Sequence, residues 1–153
     1  MKLLCCLIAL SLPVAPLRAD ILSGPKPADP KLTHSVAFDW SDLTAEPRPN
    51  GERRNVFSAS TVSLRNFACH ITTLNVGENS GPMITHDVGA IAEKAIIIKD
   101  GIIEVTINNT KKTVGSGGVI YFAPRDRTIL RNAGKTPATY FVITVVAVAP
   151  AAK

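Results

Sequence analysis

Residues 93–107 read EKAIIIKDGIIEVTI, two runs rich in isoleucine and valine on either side of Asp100-Gly101. An Asp-Gly pair between such runs is a strong signal for a tight reversal between antiparallel strands. The second run alternates, with Ile103, Val105 and Ile107 on one face and Glu104 and Thr106 on the other, the period of a pleated strand.

The rest of the chain repeats the theme. Residues 60–76 (STVSLRNFACHITTLNV) hold one or two strands ending at Gly77, residues 119–124 (VIYFAP) a strand stopped by proline, and residues 138–149 (ATYFVITVVAVA) the last and most apolar strand. NNTKK reads as a turn, and the GSGG of residues 115–118 as a tight strand connection rather than a phosphate loop, since no helical pattern follows it. Short strands at this spacing, with little that looks helical and no internal repeat, imply an antiparallel sandwich or barrel.

The ends narrow the reading. Lys2, the apolar run of residues 3–15 and Ala19 follow the order of a secretory signal peptide, too short to span a bilayer comfortably. We therefore expect residues 1–19 to be cleaved near Ala19, giving an exported protein, periplasmic or extracellular, with no membrane segment left. Of the three cysteines, Cys5 and Cys6 leave with the leader, and Cys69 remains as a lone thiol without an internal disulfide partner. Removing Lys2 and Arg18 leaves 15 basic residues against 12 acidic ones, a net charge of +3. No basic run is interleaved with aromatics, so nucleic-acid binding has no support. Residues 20–35 carry prolines and little apolar periodicity and read as an extended arm. The expected folded unit is a single all-β domain over residues 36–148, with 149–153 as a tail.

Two spaced motifs give the barrel a family likeness. Gly77, Pro82, His86 and Gly101 stand in one order, and Gly118, Pro124 and Asn132 in another, with the alternating strand pair between them. This resembles the single-domain cupins, jelly-roll β-barrels whose first motif carries a His-x-His pair and a glutamate, and whose second carries another histidine. The resemblance implies a cupin-like jelly-roll barrel and a metal site at its centre. Cupins often pair through their sheets, and the apolar last strand suits such a homodimer.

The ligand positions depart from the pattern. Ile84 replaces the first histidine, Lys94 stands where the glutamate belongs with Glu93 one step away, and Thr128 replaces the last histidine. Only His86 remains in frame. A first-row divalent ion needs several imidazole and carboxylate ligands on one point, and a catalytic zinc usually has three from the protein.

Strand alternation sets the next choice. If Glu93 faces the interior, Ala95, Ile97 and Lys99 follow it; if Lys94 does, Ile96 and Ile98 follow and Lys99 lies in water. The second register buries more apolar surface and is favoured, although a bulge in the longer loop would restore the first. An inward Lys94 beside His86 would suit an anionic ligand. Tyr121, alternating with Val119 and Ala123, would line the same interior or pack as core. Arg125 and Arg127 would add charge at the rim or form a solvated turn. His70 shares a strand face with Thr72 and Leu74, pointing to the barrel mouth or bonded to a neighbour. His34, in the arm, has no role.

Three function classes follow. One is a non-catalytic binder of a small ligand at His86, Lys94, Tyr121 and Arg127, with no cofactor and no catalytic residue. The second is a metal-dependent enzyme of the dioxygenase or isomerase sort, with one divalent ion on His70, His86 and Glu93. The third is a structural or interaction barrel. Lys94 facing a cavity separates the first class from the third, and three ligands on one point mark the second.

Overall fold

The structure is a computed structural model that describes residues 31–81, 83–84, 86–87 and 90–147; the side chains of residues 83, 84, 86, 87, 90 and 91 lie outside that description. The expected leader, most of the arm, Pro82, the side chain of His86 and the tail thus fall outside the described residues.

Among the described residues, eleven strands follow one 3₁₀ turn, Trp40–Asp42, which Asp39 caps by accepting from the Ser41 amide. They are β1 (Ala45–Arg48), β2 (Gly51–Ala59), β3 (Leu64–Leu74), β4 (Met83–Ile84), β5 (His86–Asp87), β6 (Ala90–Asp100), β7 (Ile102–Ile107), β8 (Thr110–Gly115), β9 (Val119–Phe122), β10 (Arg127–Asn132) and β11 (Ala138–Ala147). All pairings between them are antiparallel. The larger sheet runs β1-β2-β3-β11-β6-β5, with β9 also on β6, and the smaller runs β4-β10-β7-β8.

Several elements differ from the sequence reading. Residues 60–76 hold one strand, β3, within the one or two expected, whereas the residues read as a turn after Asn109 already belong to β8. The polar β1–β2 hairpin has no counterpart in that reading. Its reversal lies at Pro49-Asn50, and Gly51 has to be glycine there: a Cβ would stand 1.9 Å from the Thr73 carbonyl oxygen. Gly101 links β6 to β7 at φ +90°, where a Cβ would meet that of Ala138 at 2.7 Å.

The core lies between the two sheets. Ile96 and Ile98 of β6, Leu74 of β3 and Tyr140 and Val142 of β11 meet Ile103 and Val105 of β7 and Leu130 of β10, with Ile120 and Phe122 of β9 closing the side. Each fully buried aliphatic side chain contributes roughly 1.5–3 kcal/mol. Ile96 and Ile98 of β6, and Lys94 in phase with them, therefore face inward, whereas Ile97 and Lys99 are exposed on the outside. Outside, Trp40 lies between two cations, Arg54 at 5.0 Å and Lys99 at 4.8 Å from its ring centre.

Candidate functional site

Beyond Ile96 the inner face of the larger sheet stops being dry. A cavity of about 350 Å³ opens there, and the strands that build the core also build its wall. β3 sends His70 and Thr72 into it, β6 sends Lys94, β11 supplies an apolar floor of Tyr140 and Val142, and β2 contributes Arg53. Register explains the convergence. Arg53 pairs with Thr72, and Thr72 with Tyr140; one step along, Asn55, His70, Val142 and Ile96 make the next row. Lys94 stands two residues beyond Ile96 on the same face.

The charges are unevenly compensated. Arg48, at the hairpin, is held by Glu46 at 2.6 Å, and Glu52, the one carboxylate of the cavity lining, pairs with Arg54 at 3.4 Å. Arg53 Nε donates to Asn55 Oδ1 at 2.8 Å, and Asn55 Nδ2 donates to Glu46 Oε1 at 2.8 Å. That chain holds the guanidinium by Nε, and among the described residues its two terminal nitrogens make no hydrogen bond and form a fork. Among the described residues, neither Arg53 nor Lys94 has a carboxylate in ion-pair range.

Titration follows from this arrangement. Burial pushes the Lys94 ammonium below its ordinary value, and the Arg53 charge pushes the same way. Burial, then Arg53 and Lys94, bring His70 down from 6.5 to about 4, so its imidazole is neutral at neutral pH. Arg53 is lowered by burial and by Arg48, and Glu46 partly offsets this. Burial pushes the Tyr140 phenol up to about 12, against a hydrogen bond with Thr72. The cavity is thus a positive hollow with a neutral imidazole and a phenol in its wall.

No family model matches the sequence, and no curated protein does so. Solved structures do match in shape. A predicted oxalate decarboxylase from Thermotoga maritima is 13% identical, with 72% of this chain on 99% of that one and a TM-score of 0.61. KdgF from Halomonas sp. is 12% identical, with 73% on 94% and a TM-score of 0.61. The cupin domain of Cnp3 from Schizosaccharomyces pombe is 17% identical, with 72% on 74% and a TM-score of 0.56. The fold is that of a cupin. At these identities the likeness carries no reaction with it.

Within the cupin barrel, the expected site residues separate. Lys94 and His70 line one cavity. Glu93, one residue from Lys94, is exposed on the opposite face, where it hydrogen-bonds Tyr121. Tyr121 is a correction: it is 57% exposed and stands outside with Val119, because Ile120 and Phe122 fill the inner positions of β9. Arg127 also departs from the pocket, exposed on β10 where Thr128, Leu130 and Asn132 face inward. The backbone of His86 pairs with Ile91 at the edge of the larger sheet. Arg53, which sequence reasoning passed over, joins the site through the missed hairpin.

The cupin metal pattern finds no support in the residues described. His70 and Glu93 sit on opposite faces of the sheet, so the set His70, His86 and Glu93 cannot converge whatever His86 does. Among the described residues no three His, Cys, Asp or Glu side chains gather to hold an ion. Lys94 and Arg53 also charge the cavity against a cation, so a divalent metal does not fit this side-chain set. The second motif keeps a structural part. Buried Asn132 donates to the carbonyls of Leu74 at 3.0 Å, Asn75 at 3.2 Å and Thr136 at 2.8 Å, and accepts from the Gly134 amide at 2.9 Å. It ties the turns at one end of the barrel together.

Proposed function

We propose that this chain is an exported, non-catalytic protein of cupin fold that binds a small organic anion in the barrel cavity. Arg53 and Lys94 supply the charge, and His70 supplies a neutral hydrogen-bonding edge. The support is the pair of cations from β2 and β6 that face one hollow without carboxylate partners among the described residues. Two positive groups sharing a half-buried space repel each other, and an anion between them turns that repulsion into charge-assisted hydrogen bonds. The Arg53 fork matches a carboxylate in two-point geometry, and Lys94 acts as a point charge. A hollow of about 350 Å³ lies at the small end of the range for ligand pockets. The leader-like residues 1–19 support export with cleavage, which fails if cell fractionation leaves the protein in the cytoplasm still beginning at Met1 rather than outside it beginning near Asp20.

Calorimetric titration with acetate, pyruvate, succinate and phosphate tests the binding. At least one should bind, more weakly as salt is raised. Lys94→Met and Arg53→Met should each weaken it about tenfold or more, equivalent to about 1.4 kcal/mol. Binding to none of these anions, or binding that both variants leave untouched, rejects the reading.

A further inference from the structure

Lys94 differs from the ion-paired lysines and from those in solvent by its half-buried place in the cavity wall. Lys99 is neutralised by Asp100 at 2.8 Å and Lys111 by Glu104 at 3.0 Å, both in solvent. Lys94 instead comes from the middle of β6, which is hydrogen-bonded on both sides: its backbone pairs with Phe122 of β9 and with Thr144 of β11. The amine is therefore delivered by a rigid strand into an apolar-floored hollow, with a guanidinium and an imidazole as its polar company.

We infer that the Lys94 amine condenses with the carbonyl carbon of a small 2-oxo acid whose carboxylate rests on Arg53. The inference rests on the anion-binding reading and adds a covalent step to it. A nitrogen–carbon bond forms, the carbonyl oxygen leaves as water with two protons from the amine, and a protein-bound imine remains. No oxidant or reductant is consumed.

Three features of the site serve that step. An amine attacks a carbonyl only in its unprotonated form, and a lysine gains that form when it is desolvated beside another cation. Lys94 meets both conditions, through its burial and Arg53. Arg53 also holds the acid end, so that the 2-oxo carbon faces the amine rather than solvent. His70, neutral at neutral pH, can take a proton from the adding nitrogen and return it to the departing hydroxyl. The titratable groups that line the cavity with Lys94 are Arg48 of β1, Glu52 and Arg53 of β2, His70 of β3 and Tyr140 of β11, and the Glu52 carboxylate is taken by Arg54 at 3.4 Å.

Pyruvate and sodium borohydride, added together to the purified protein, test the imine, because borohydride reduces it to a stable secondary amine. Intact mass should show one reduced pyruvyl adduct per chain, and peptide mapping should place it on Lys94, labelled several-fold above Lys99 and Lys111. Lys94→Arg keeps the cation but not the nucleophile: calorimetry should show that it still binds pyruvate, and the adduct should vanish. Equal labelling of all lysines, or pyruvate binding without any adduct, overturns the covalent step; the second result leaves the anion reading standing. Neither pyruvate binding nor an adduct removes the covalent step, and the anion reading falls with it only if acetate, succinate and phosphate also fail to bind.

Discussion

The two halves of the inner face of the larger sheet are built by the same three strands and do different work. In the closed half, Leu74 and Ile98 are at most 1% exposed. Further along, β3 places Thr72 and His70, β6 places Lys94, and the packing gives way to the cavity. Backbone pairing and alternation do not change between the halves. What changes is the opposing layer: Ile103, Val105 and Leu130 of the smaller sheet fill the first half and pack against the larger sheet there. The comparison teaches that this barrel's stability is concentrated at one end. The other end carries charge, Arg53 and Lys94 among it, without loss of the fold.

The difference has a direct mechanical test. Ile98→Ala removes a fully buried side chain from the closed half and should lower the free energy of unfolding by about 2–5 kcal/mol, from transfer and residual cavity together. His70→Ala in the open half should cost less than about 1 kcal/mol at neutral pH, since it enlarges a space already present. Chemical denaturation of both variants beside the parent chain reads the two numbers. Comparable losses would mean that the open half is as much a part of the core as the closed one.

Much of this division could be read in the sequence, for a physical reason. Over residues 93–99, β6 carries Lys94 in phase with Ile96 and Ile98 and Lys99 in phase with Ile97, so alternation favours the register that buries two isoleucines over the one that buries a single isoleucine. The Asp100-Gly101 reversal left equally little freedom. β9 had no such marker. Val119, Ile120, Tyr121 and Phe122 are all apolar or aromatic, so nothing in four residues phases the alternation, and Tyr121 was expected inside. The β1–β2 hairpin escaped because Glu52, Arg53, Arg54 and Asn55 look like solvated loop. The signal that would have found it is Asn50-Gly51 after Pro49, a reversal followed by a run long enough to pair with β3. Missing that hairpin meant missing Arg53, the charge that makes Lys94 unusual. Asn132 could be matched to a motif, but its work of binding three carbonyls depends on turns that meet only in three dimensions.

The smaller expected effect lies in the open half and is set by pH. His70 titrates near 4 in the folded chain against an ordinary 6.5, so the folded state keeps it neutral where the unfolded state has already taken up a proton. Between those two values the unfolded chain binds more protons, and stability falls as pH falls; above 6.5 the contribution is complete, and below about 4 it is gone. A shift of this size, discounted because the ring is only partly buried, corresponds to about 1–2 kcal/mol. Denaturant midpoints taken at pH 7.5, 6, 5 and 4 should show that extra loss in the parent chain and not in His70→Gln, which cannot titrate. Saturating succinate should shrink the loss, because an anion beside Arg53 and Lys94 offsets the part of the His70 shift that those charges add to burial. An acid slope identical in the two proteins would place His70 in ordinary solvent, away from both cations, and would dissolve the distinction between the halves at the residue where it is sharpest.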